Sequence, residues 1–218
     1  MSRQPGFFIT FEGGEGVGKS TNITFAADWL RAQGKDVIVT REPGGTPIAE
    51  TIRNALLKAH HDELMMPRTE LLLVFAARAQ HIESVIMPAL ARGTWVLCDR
   101  FTDSTIAYQG FGRGLPMDEI DTLKTLVQQG LEPDLTFLLD APLSVGMGRA
   151  AQRGSDAGEE TDRFETEQLA FFERVRSGFQ ALAAEHSRFR VLDAAQPLAR
   201  VQADLLKELV PLAGGINR

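Results

Sequence analysis

The feature that most restricts the fold of this chain is the stretch Gly13–Ser20, which reads GGEGVGKS. It matches the pattern G-x-x-x-x-G-K-[ST], for which the composition of the chain gives roughly 0.004 accidental matches. The stretch follows an apolar run, Phe7–Phe11, and precedes a segment of helical period that begins at Lys19. A glycine-rich loop between a strand and a helix directs backbone N–H groups at phosphate oxygens. The sequence therefore predicts a phosphate-binding loop, in which Lys19 neutralises phosphate charge and the Ser20 hydroxyl reaches Mg²⁺.

Short apolar runs alternate with longer segments of helical period along the chain. The runs predict strands at Phe7–Phe11, Val37–Thr40, Trp95–Cys98, Leu135–Leu139 and Phe189–Leu192. The other segments predict helices at Lys19–Gln33, Ile48–Ala59, Arg68–Arg92, Asp118–Gly130, Leu143–Arg153, Glu165–Ala184 and Leu198–Leu209. Such alternation is typical of a parallel sheet buried on both faces. We expect an α/β fold, a doubly wound five-stranded parallel sheet with helices on both faces, as one domain over residues 1–218.

One polar stretch, Gly154–Asp162, interrupts this pattern between Arg153 and Arg163. Two interpretations stay open from the residues alone. The stretch is either a mobile surface loop or a short lid, over residues 149–165, that closes on a ligand.

Composition excludes several classes of protein. The formal net charge is −6, whereas a protein that grips a nucleic-acid backbone usually carries a basic surplus. The only cysteine, Cys98, cannot form an internal disulfide, and no run reaches the ~18 apolar residues of a membrane span. We therefore expect a soluble cytoplasmic protein with no nucleic-acid or membrane partner. The four histidines show no metal-ligand spacing, so no structural zinc is expected.

The residues that follow the predicted strands narrow the class of phosphate-loop protein. A GTPase switch needs N-K-x-D and D-x-x-G, and neither occurs in the chain. A mechanical ATPase ends a later strand in Asp-Glu, but this chain reads Asp99-Arg100 there. Arg41 and Arg100 both follow strands, at the edge where open α/β sheets bind ligands. Since guanidinium groups suit phosphate, a kinase with an anionic small-molecule acceptor remains.

Arg78 lies three residues after Phe75 in a predicted helix, so the two share a face. The ring and the guanidinium could hold a nucleotide base. Alternatively, Phe75 belongs to the core and Arg78 pairs with a surface Glu, which is the interpretation that the residues alone favour.

Five segments together make the sequence similar to a known family. They are FEGGEGVGKST (Phe11–Thr21), TREPGGT (Thr40–Thr46), FAARAQH (Phe75–His81), DRFTDSTIAYQG (Asp99–Gly110, followed by GRGL) and PDLTFLLD (Pro133–Asp140). The chain closely resembles the bacterial thymidylate kinases, phosphate-loop nucleoside monophosphate kinases, over nearly its whole length. The resemblance implies transfer of the γ-phosphoryl group of ATP to dTMP, giving dTDP and ADP in dTTP biosynthesis, with ATP and Mg²⁺ as cofactors and a homodimeric assembly.

The resemblance also implies a role for each matching residue. Glu15 matches a contact to the sugar 3′-hydroxyl, Arg41 and Arg100 match residues near the monophosphate, and Arg78 matches a hydrogen bond to thymine. The predicted ATP-binding residues are Gly13, Gly14, Glu15, Gly16, Val17, Gly18, Lys19, Ser20 and Thr21. The predicted dTMP-binding residues are Glu15, Arg41, Glu42, Pro43, Phe75, Arg78, Arg100, Ser104, Thr105, Tyr108 and Gln109. The predicted metal-site residues are Ser20 and Asp99, and the predicted catalytic residues are Lys19, Arg153, Glu15 and Arg100.

The sequence departs from the family pattern beside Arg78. The family commonly places its base-stacking aromatic residue four positions before this Arg, where this chain has Val74. Phe75 is one helical step of about 100° away, so its predicted stacking role requires a small rotation.

On the ATP side, the phosphate loop contains no Arg, so the resemblance implies that the lid supplies one. Arg153 matches that residue best, and Arg163 is the second candidate. Arg149 lies four residues before Arg153 on the same helix face and alternatively forms a surface ion pair. Asp193–Pro197 is similar to the loop that lies near the adenine of ATP.

Three alternatives stay open. A deoxynucleoside kinase has an uncharged acceptor, which the Arg-rich acceptor side disfavours. Another monophosphate kinase would act on dCMP, UMP or AMP. A regulatory protein would hydrolyse ATP slowly and signal through the lid.

Overall fold

The sheet consists of five parallel strands in a computed structural model that describes residues 6–57, 63–149, 164 and 167–214. The strands are β1 (Phe8–Glu12), β2 (Val37–Arg41), β3 (Trp95–Asp99), β4 (Leu135–Asp140) and β5 (Phe189–Asp193). Their order is β2-β3-β1-β4-β5, which confirms the predicted parallel α/β sheet. Each strand ends one residue beyond its predicted end, on a charged residue, because the ladder continues through the polar edge that carries the site.

Helices cover both faces of this sheet. They are α1 (Lys19–Ala32), α2 (Pro47–Leu57), α3 (Pro67–His81), α4 (Met87–Ala91), α5 (Thr102–Thr105), α6 (Met117–Gln128), α7 (residues 143–149), α8 (Leu169–Glu185) and α9 (Leu198–Ala213). Alternate residues of β1 point to opposite faces. Ile9 and Phe11 pack in the core formed with α1 and α9, whereas Phe8 packs on the other face with Ile82 and Ile86. Helices therefore pack on both faces of the sheet, which confirms the predicted doubly wound arrangement.

The helix predicted for Arg68–Arg92, in which Pro88 was the one candidate for a kink, is irregular just before that proline. A π-helical turn, Ile82–Ile86, separates α3 from α4. Pro88 has no N–H to donate to the carbonyl of Ser84, and its ring crowds that carbonyl. A wider turn before the proline relieves this conflict within the continuous helical run Pro67–Ala91.

The run Pro67–Ala91 is, among the residues described, the one helical stretch with the length and composition to cross a membrane. Its chemistry fits a core helix instead. Glu70, Arg78 and His81 lie within it, and all three are buried in the fold with polar partners.

The segment after β3 contains two elements that were not predicted. The short helix α5 leads into a second π-helical turn, Ile106–Gly112. This turn packs against α8, whose Phe171 and Phe179 form a cluster with Tyr108. Gly178 of α8 lies directly against this turn. A Cβ added at Gly178 would lie 2.8 Å from the Phe111 ring.

The outer ends of the predicted helices Ile48–Ala59, Leu143–Arg153 and Glu165–Ala184 fall partly outside the described residues. The stretch Gly154–Asp162 also falls outside them, so its two interpretations stay as predictions.

We predict that Gly178→Ala destabilises the protein. Replacing glycine by alanine within a helix ordinarily stabilises it by about 1 kcal/mol. Here the new methyl group would overlap the base of the Phe111 ring, and overpacking of this kind costs about 1–3 kcal/mol. The melting temperature should therefore fall in a thermal unfolding experiment.

Gly148→Ala is the matched control, because Gly148 is exposed in α7 and an added Cβ would meet no atom within 4 Å among the described residues beyond its own helix backbone. Its melting temperature should stay or rise. A rise for Gly178→Ala as well would contradict close packing between α8 and the π-helical turn.

Candidate active site

The phosphate loop lies between β1 and α1, as its sequence predicts. Gly13 has φ +135°, and an added Cβ there would lie 2.3 Å from the carbonyl oxygen of Leu139 on β4. Gly18 caps α1 in the left-handed region, with φ +89°. Val17 anchors the loop in the main core. The loop can therefore follow this path only with glycine at its tight positions.

Lys19 begins α1, and its ammonium group turns back onto the phosphate loop. Nζ donates to the carbonyl oxygens of Gly14 at 2.7 Å and Gly13 at 3.2 Å. Burial lowers the pKa of Lys19, and the charge of Arg100 acts in the same direction. Ser20, the next residue, is exposed at the same helix end. The start of α1 thus presents an ammonium, a hydroxyl and the positive helix terminus together.

Arg100 brings four of the predicted site residues to one guanidinium group. Its Nη1 donates to the Gly13 carbonyl at 2.9 Å and to Ser104 Oγ at 3.1 Å. Its Nη2 donates to Glu15 Oε1 at 2.5 Å and to Tyr108 Oη at 3.1 Å. Burial alone would lower the pKa of Arg100, but its neighbours, with Tyr108 and Glu15 foremost, outweigh burial and raise that pKa. The backbone of Arg100 is also left-handed, with φ +67°, a costly conformation that the tertiary contacts maintain.

Glu12 holds the segment after Arg100 in place, a role that was not predicted. The last residue of β1, it is fully buried and accepts hydrogen bonds from the Phe101 amide at 2.8 Å and from Ser104 Oγ at 2.5 Å. Burial raises the pKa of Glu12 to about 8, and the nearby carboxylate of Asp103 adds to the effect. A carboxyl residue closing an apolar strand was the only sequence signal for this role.

Arg78 forms the centre of a second polar cluster. Its Nε donates to Glu42 Oε2 at 2.7 Å and its Nη2 to Thr105 Oγ1 at 2.9 Å. The guanidinium lies 4.8 Å from the ring centre of Phe75 and 5.2 Å from that of Phe101. Arg78 Nη1 is buried and has no hydrogen-bond partner within the described chain. The expectation of a surface ion pair for Arg78 is therefore wrong, whereas Phe75 does lie in the core.

Two other residues predicted to bind the acceptor, Arg41 and Gln109, are held by carboxylates that were not predicted. Arg41 pairs with Glu50 at 2.9 Å and is half exposed. Gln109 donates its amide to buried Glu70 at 2.7 Å. Pro43 follows Glu42 through a cis peptide bond. No sequence signal marked either carboxylate: Glu50 lies nine residues after Arg41 on the next helix, and Glu70 lies 39 residues before Gln109.

Asp99 ends β3, in register with Arg41 of β2. Its Oδ1 is buried and has no hydrogen-bond partner in the described part of the chain. Carboxylate and hydroxyl oxygens suit Mg²⁺, which usually takes one or two protein ligands and completes its shell with water and substrate phosphates. No cluster of three His, Cys, Asp or Glu that could bind a metal occurs within the described ranges. The chemistry of Asp99 and Ser20 thus fits a Mg²⁺ ion held largely by a nucleotide.

Arg149 connects α7 to the loop after β5. Its Nη1 donates to the carbonyl oxygen of Ala194 at 2.8 Å, inside the segment Asp193–Pro197. Arg149 therefore lies beside the predicted adenine loop. Arg153 and Arg163 are outside the described residues, and their role stays a prediction.

Comparisons with known proteins place the chain beside one group of enzymes. The sequence model of the thymidylate kinase family matches residues 11–205. A thymidylate kinase of Chromohalobacter salexigens is 57% identical over 94% of this chain and 95% of that protein. One from Pseudomonas fluorescens is 60% identical over 90% and 91%. The crystal structure of thymidylate kinase from Ehrlichia chaffeensis superimposes with a TM-score of 0.73 at 35% identity, covering 94% of this chain and 99% of that one.

We predict that Glu12→Gln changes the pH dependence of stability. Because the folded pKa of Glu12 is about 8 and its ordinary value 4.5, the unfolded chain ionises first as pH rises. The favourable contribution of Glu12 is complete below pH 4.5 and lost as pH rises to about 8. Glu12→Gln cannot titrate, so wild-type stability should fall relative to the variant by on the order of a few kcal/mol.

Urea unfolding of both proteins between pH 5.5 and 8.5 measures this difference, and other titrating groups cancel between them. A difference that does not change with pH would show that Glu12 ionises normally.

Proposed function

Because this chain belongs to the thymidylate kinase family, we propose that its phosphate loop and its two guanidinium clusters together carry out the phosphorylation of dTMP by ATP. The activity is that of an ATP-dependent kinase that yields dTDP and ADP, a step of nucleotide biosynthesis. We further propose roles for individual residues, a bound Mg²⁺ ion, a homodimeric assembly and a cytoplasmic location.

Arg100 gives the strongest support for this assignment. Each of its terminal nitrogens bonds to one residue of the phosphate loop, Gly13 or Glu15, and to one residue after β3, Ser104 or Tyr108. The donor site and the acceptor wall therefore meet at one planar cation. All four terminal N–H groups of Arg100 have partners within the chain, so a bound phosphate would displace some of them. Because a guanidinium favours phosphate oxygens, we assign the monophosphate of dTMP to Arg100, with Arg41 beside it at the end of β2.

Arg78 is assigned to the thymine base. Its free Nη1 is a buried donor, and an unmade hydrogen bond of this kind is unfavourable until a ligand supplies an acceptor. Thymine presents the O4 acceptor where cytosine presents an N4 amino donor. Thr105, Tyr108 and Gln109 form the wall around this site, Glu15 is assigned to the sugar, and Phe75 lies at its floor.

Transfer requires positioning and charge neutralisation more than proton transfer. The attacking oxygen of dTMP is already ionised at neutral pH, so we assign no general base. Lys19 supplies a cation at the phosphate loop, and Ser20 and Asp99 would hold Mg²⁺. Mg²⁺ held there would neutralise charge on the phosphates of ATP. A further cation is needed to stabilise charge on the transferring phosphoryl group. We assign this role to Arg153, with Arg163 as second candidate.

We propose that the enzyme works in the cytoplasm as a homodimer, with nucleotides as its partners. Exposed apolar side chains at and before α3 support an assembly, since Leu64, Met66 and Leu72 are all more than half exposed. A second copy would remove these side chains from water.

The acceptor preference tests the function. ADP release should be measured with ATP, Mg²⁺ and each of dTMP, dUMP, dCMP, UMP, AMP and thymidine. We expect strong turnover with dTMP, weaker turnover with dUMP and negligible turnover with thymidine or dCMP. Turnover with thymidine but not dTMP would refute the assignment of Arg41 and Arg100 to an acceptor phosphate.

We predict that Lys19→Ala lowers kcat by about 10³-fold or more, because a cation is lost where charge develops. The fold should persist, since the hydrogen bonds of the ammonium among the described residues go to the carbonyls of Gly13 and Gly14. Lys207→Ala, which removes an exposed lysine paired with Asp204, is the matched control. Normal turnover by Lys19→Ala would refute the role of the phosphate loop.

A further inference from the structure

Arg78, which is assigned to the base, is connected through Glu42 to His81 by buried hydrogen bonds. We propose that His81 is a positioning residue for base selectivity. It holds Glu42, and through Glu42 it holds Arg78 with Nη1 free for the acceptor base. This inference rests on the proposed function, and it adds a determinant of specificity that does not touch the substrate.

His81 is fully buried, and both of its ring nitrogens are engaged. Nδ1 lies 2.9 Å from Glu42 Oε1, and Nε2 lies 2.6 Å from Thr40 Oγ1. A carboxylate only accepts hydrogen bonds, so the ring must carry its proton on Nδ1. The Thr40 hydroxyl can then donate to Nε2. This pair of contacts fixes both the position of the imidazole and the direction of its donor.

Glu42 divides its two oxygens between two partners. Oε2 accepts from Arg78 Nε at 2.7 Å, and Oε1 accepts from His81. Carboxylates and guanidinium groups readily form paired hydrogen bonds. Without the donor of His81, Oε1 would be a buried acceptor with an unmade bond, and it would compete for a terminal N–H of Arg78. His81 thus leaves Nη2 for Thr105 and Nη1 for the ligand.

The backbone around His81 shows that this contact is closely packed. An added Cβ at Gly45 would lie 2.5 Å from His81 Nε2 and 2.6 Å from Thr40 Oγ1. Arg78 and His81 are three residues apart at the end of α3 and therefore share a face. The loop after β2 thus closes onto α3 at the imidazole, which ties the sequence segments Thr40–Thr46 and Phe75–His81 together.

Stability alone does not account for these groups. Replacing buried ion pairs by apolar residues of similar volume is often neutral or stabilising. The cluster instead keeps three buried polar side chains and leaves one donor, Arg78 Nη1, without a partner in the described chain. A donor held rigid but unpaired suits recognition of a ligand acceptor, since an analogue that lacks the acceptor leaves it unpaired.

Two substitutions at His81 separate its contacts. The amide nitrogen of His81→Asn falls near the position of Nδ1, so it keeps a donor to Glu42 and loses Thr40. The amide of His81→Gln falls near Nε2, so it keeps the Thr40 contact and loses the donor to Glu42. The readouts are kcat and KM for dTMP, the ratio of kcat/KM for dTMP to that for dCMP, and the melting temperature.

We expect His81→Gln to raise KM for dTMP and lower the dTMP-to-dCMP ratio, each by about tenfold, the effect of one hydrogen bond. Its kcat at saturating dTMP should change much less. His81→Asn should retain the KM and the selectivity of the wild type. Equal behaviour of the two variants, or losses that follow only their melting temperatures, would overturn the positioning role.

Arg78→Gln distinguishes failure of this inference from failure of the proposed function. If Arg78 reads the base, Arg78→Gln loses selectivity, and adding His81→Gln lowers it no further. Lost selectivity in Arg78→Gln beside wild-type selectivity in His81→Gln would overturn the inference alone. Unchanged selectivity in Arg78→Gln would overturn base reading by Arg78 and the inference with it.

If His81→Gln does not fold, Glu42→Asp tests the same link, because it shortens the carboxylate by one methylene. We expect the same loss of selectivity and a similar rise in KM. Wild-type values for Glu42→Asp would overturn the inference.

Discussion

The salt bridge between Arg100 and Glu15 joins two parts of the chain that are 85 residues apart and gives the site its shape. Glu15 belongs to the loop after β1, and Arg100 belongs to the turn after β3, the neighbouring strand. Because the same guanidinium bonds to Ser104 and Tyr108, the phosphate loop cannot move independently of α5 and the π-helical turn that follows it. The site is thus one connected polar layer over the carboxyl ends of the strands.

Buried polar groups in and near this layer are surrounded by opposite charge or by directed hydrogen bonds. Asp103 receives both terminal nitrogens of Arg188, each at 2.7 Å, and Glu12 receives an amide and a hydroxyl. A buried charge or polar group without partners would be unfavourable, so these contacts hold the end of β1 and the helix α5 in place. Rigidity of this kind suits phosphoryl transfer, whose catalysis depends on positions set before the substrates arrive.

Much of the fold followed from the sequence because apolar runs mark buried parallel strands and the glycine loop marks the start of α1. The π-helical turns did not follow, since they depend on a proline ring and on packing between distant helices rather than on a period. The positions of Lys19 and Arg100 in the fold were predictable, because a motif or a strand end marks each of them, whereas their roles stay proposals. Glu12 and Glu70 were missed, because a single carboxyl residue in an apolar segment acquires its meaning only from partners far away in sequence.

Polar residues at the last positions of the strands have a consequence for how this chain can change. Side chains alternate across the sheet, so Glu12 shares a face with Phe8 and lies opposite Phe11. Inserting or deleting one residue within β1 would turn Glu12 toward α1 and leave Ser104 without its acceptor. The length of β1 is therefore fixed by the hydrogen bonds that Glu12 accepts at its end.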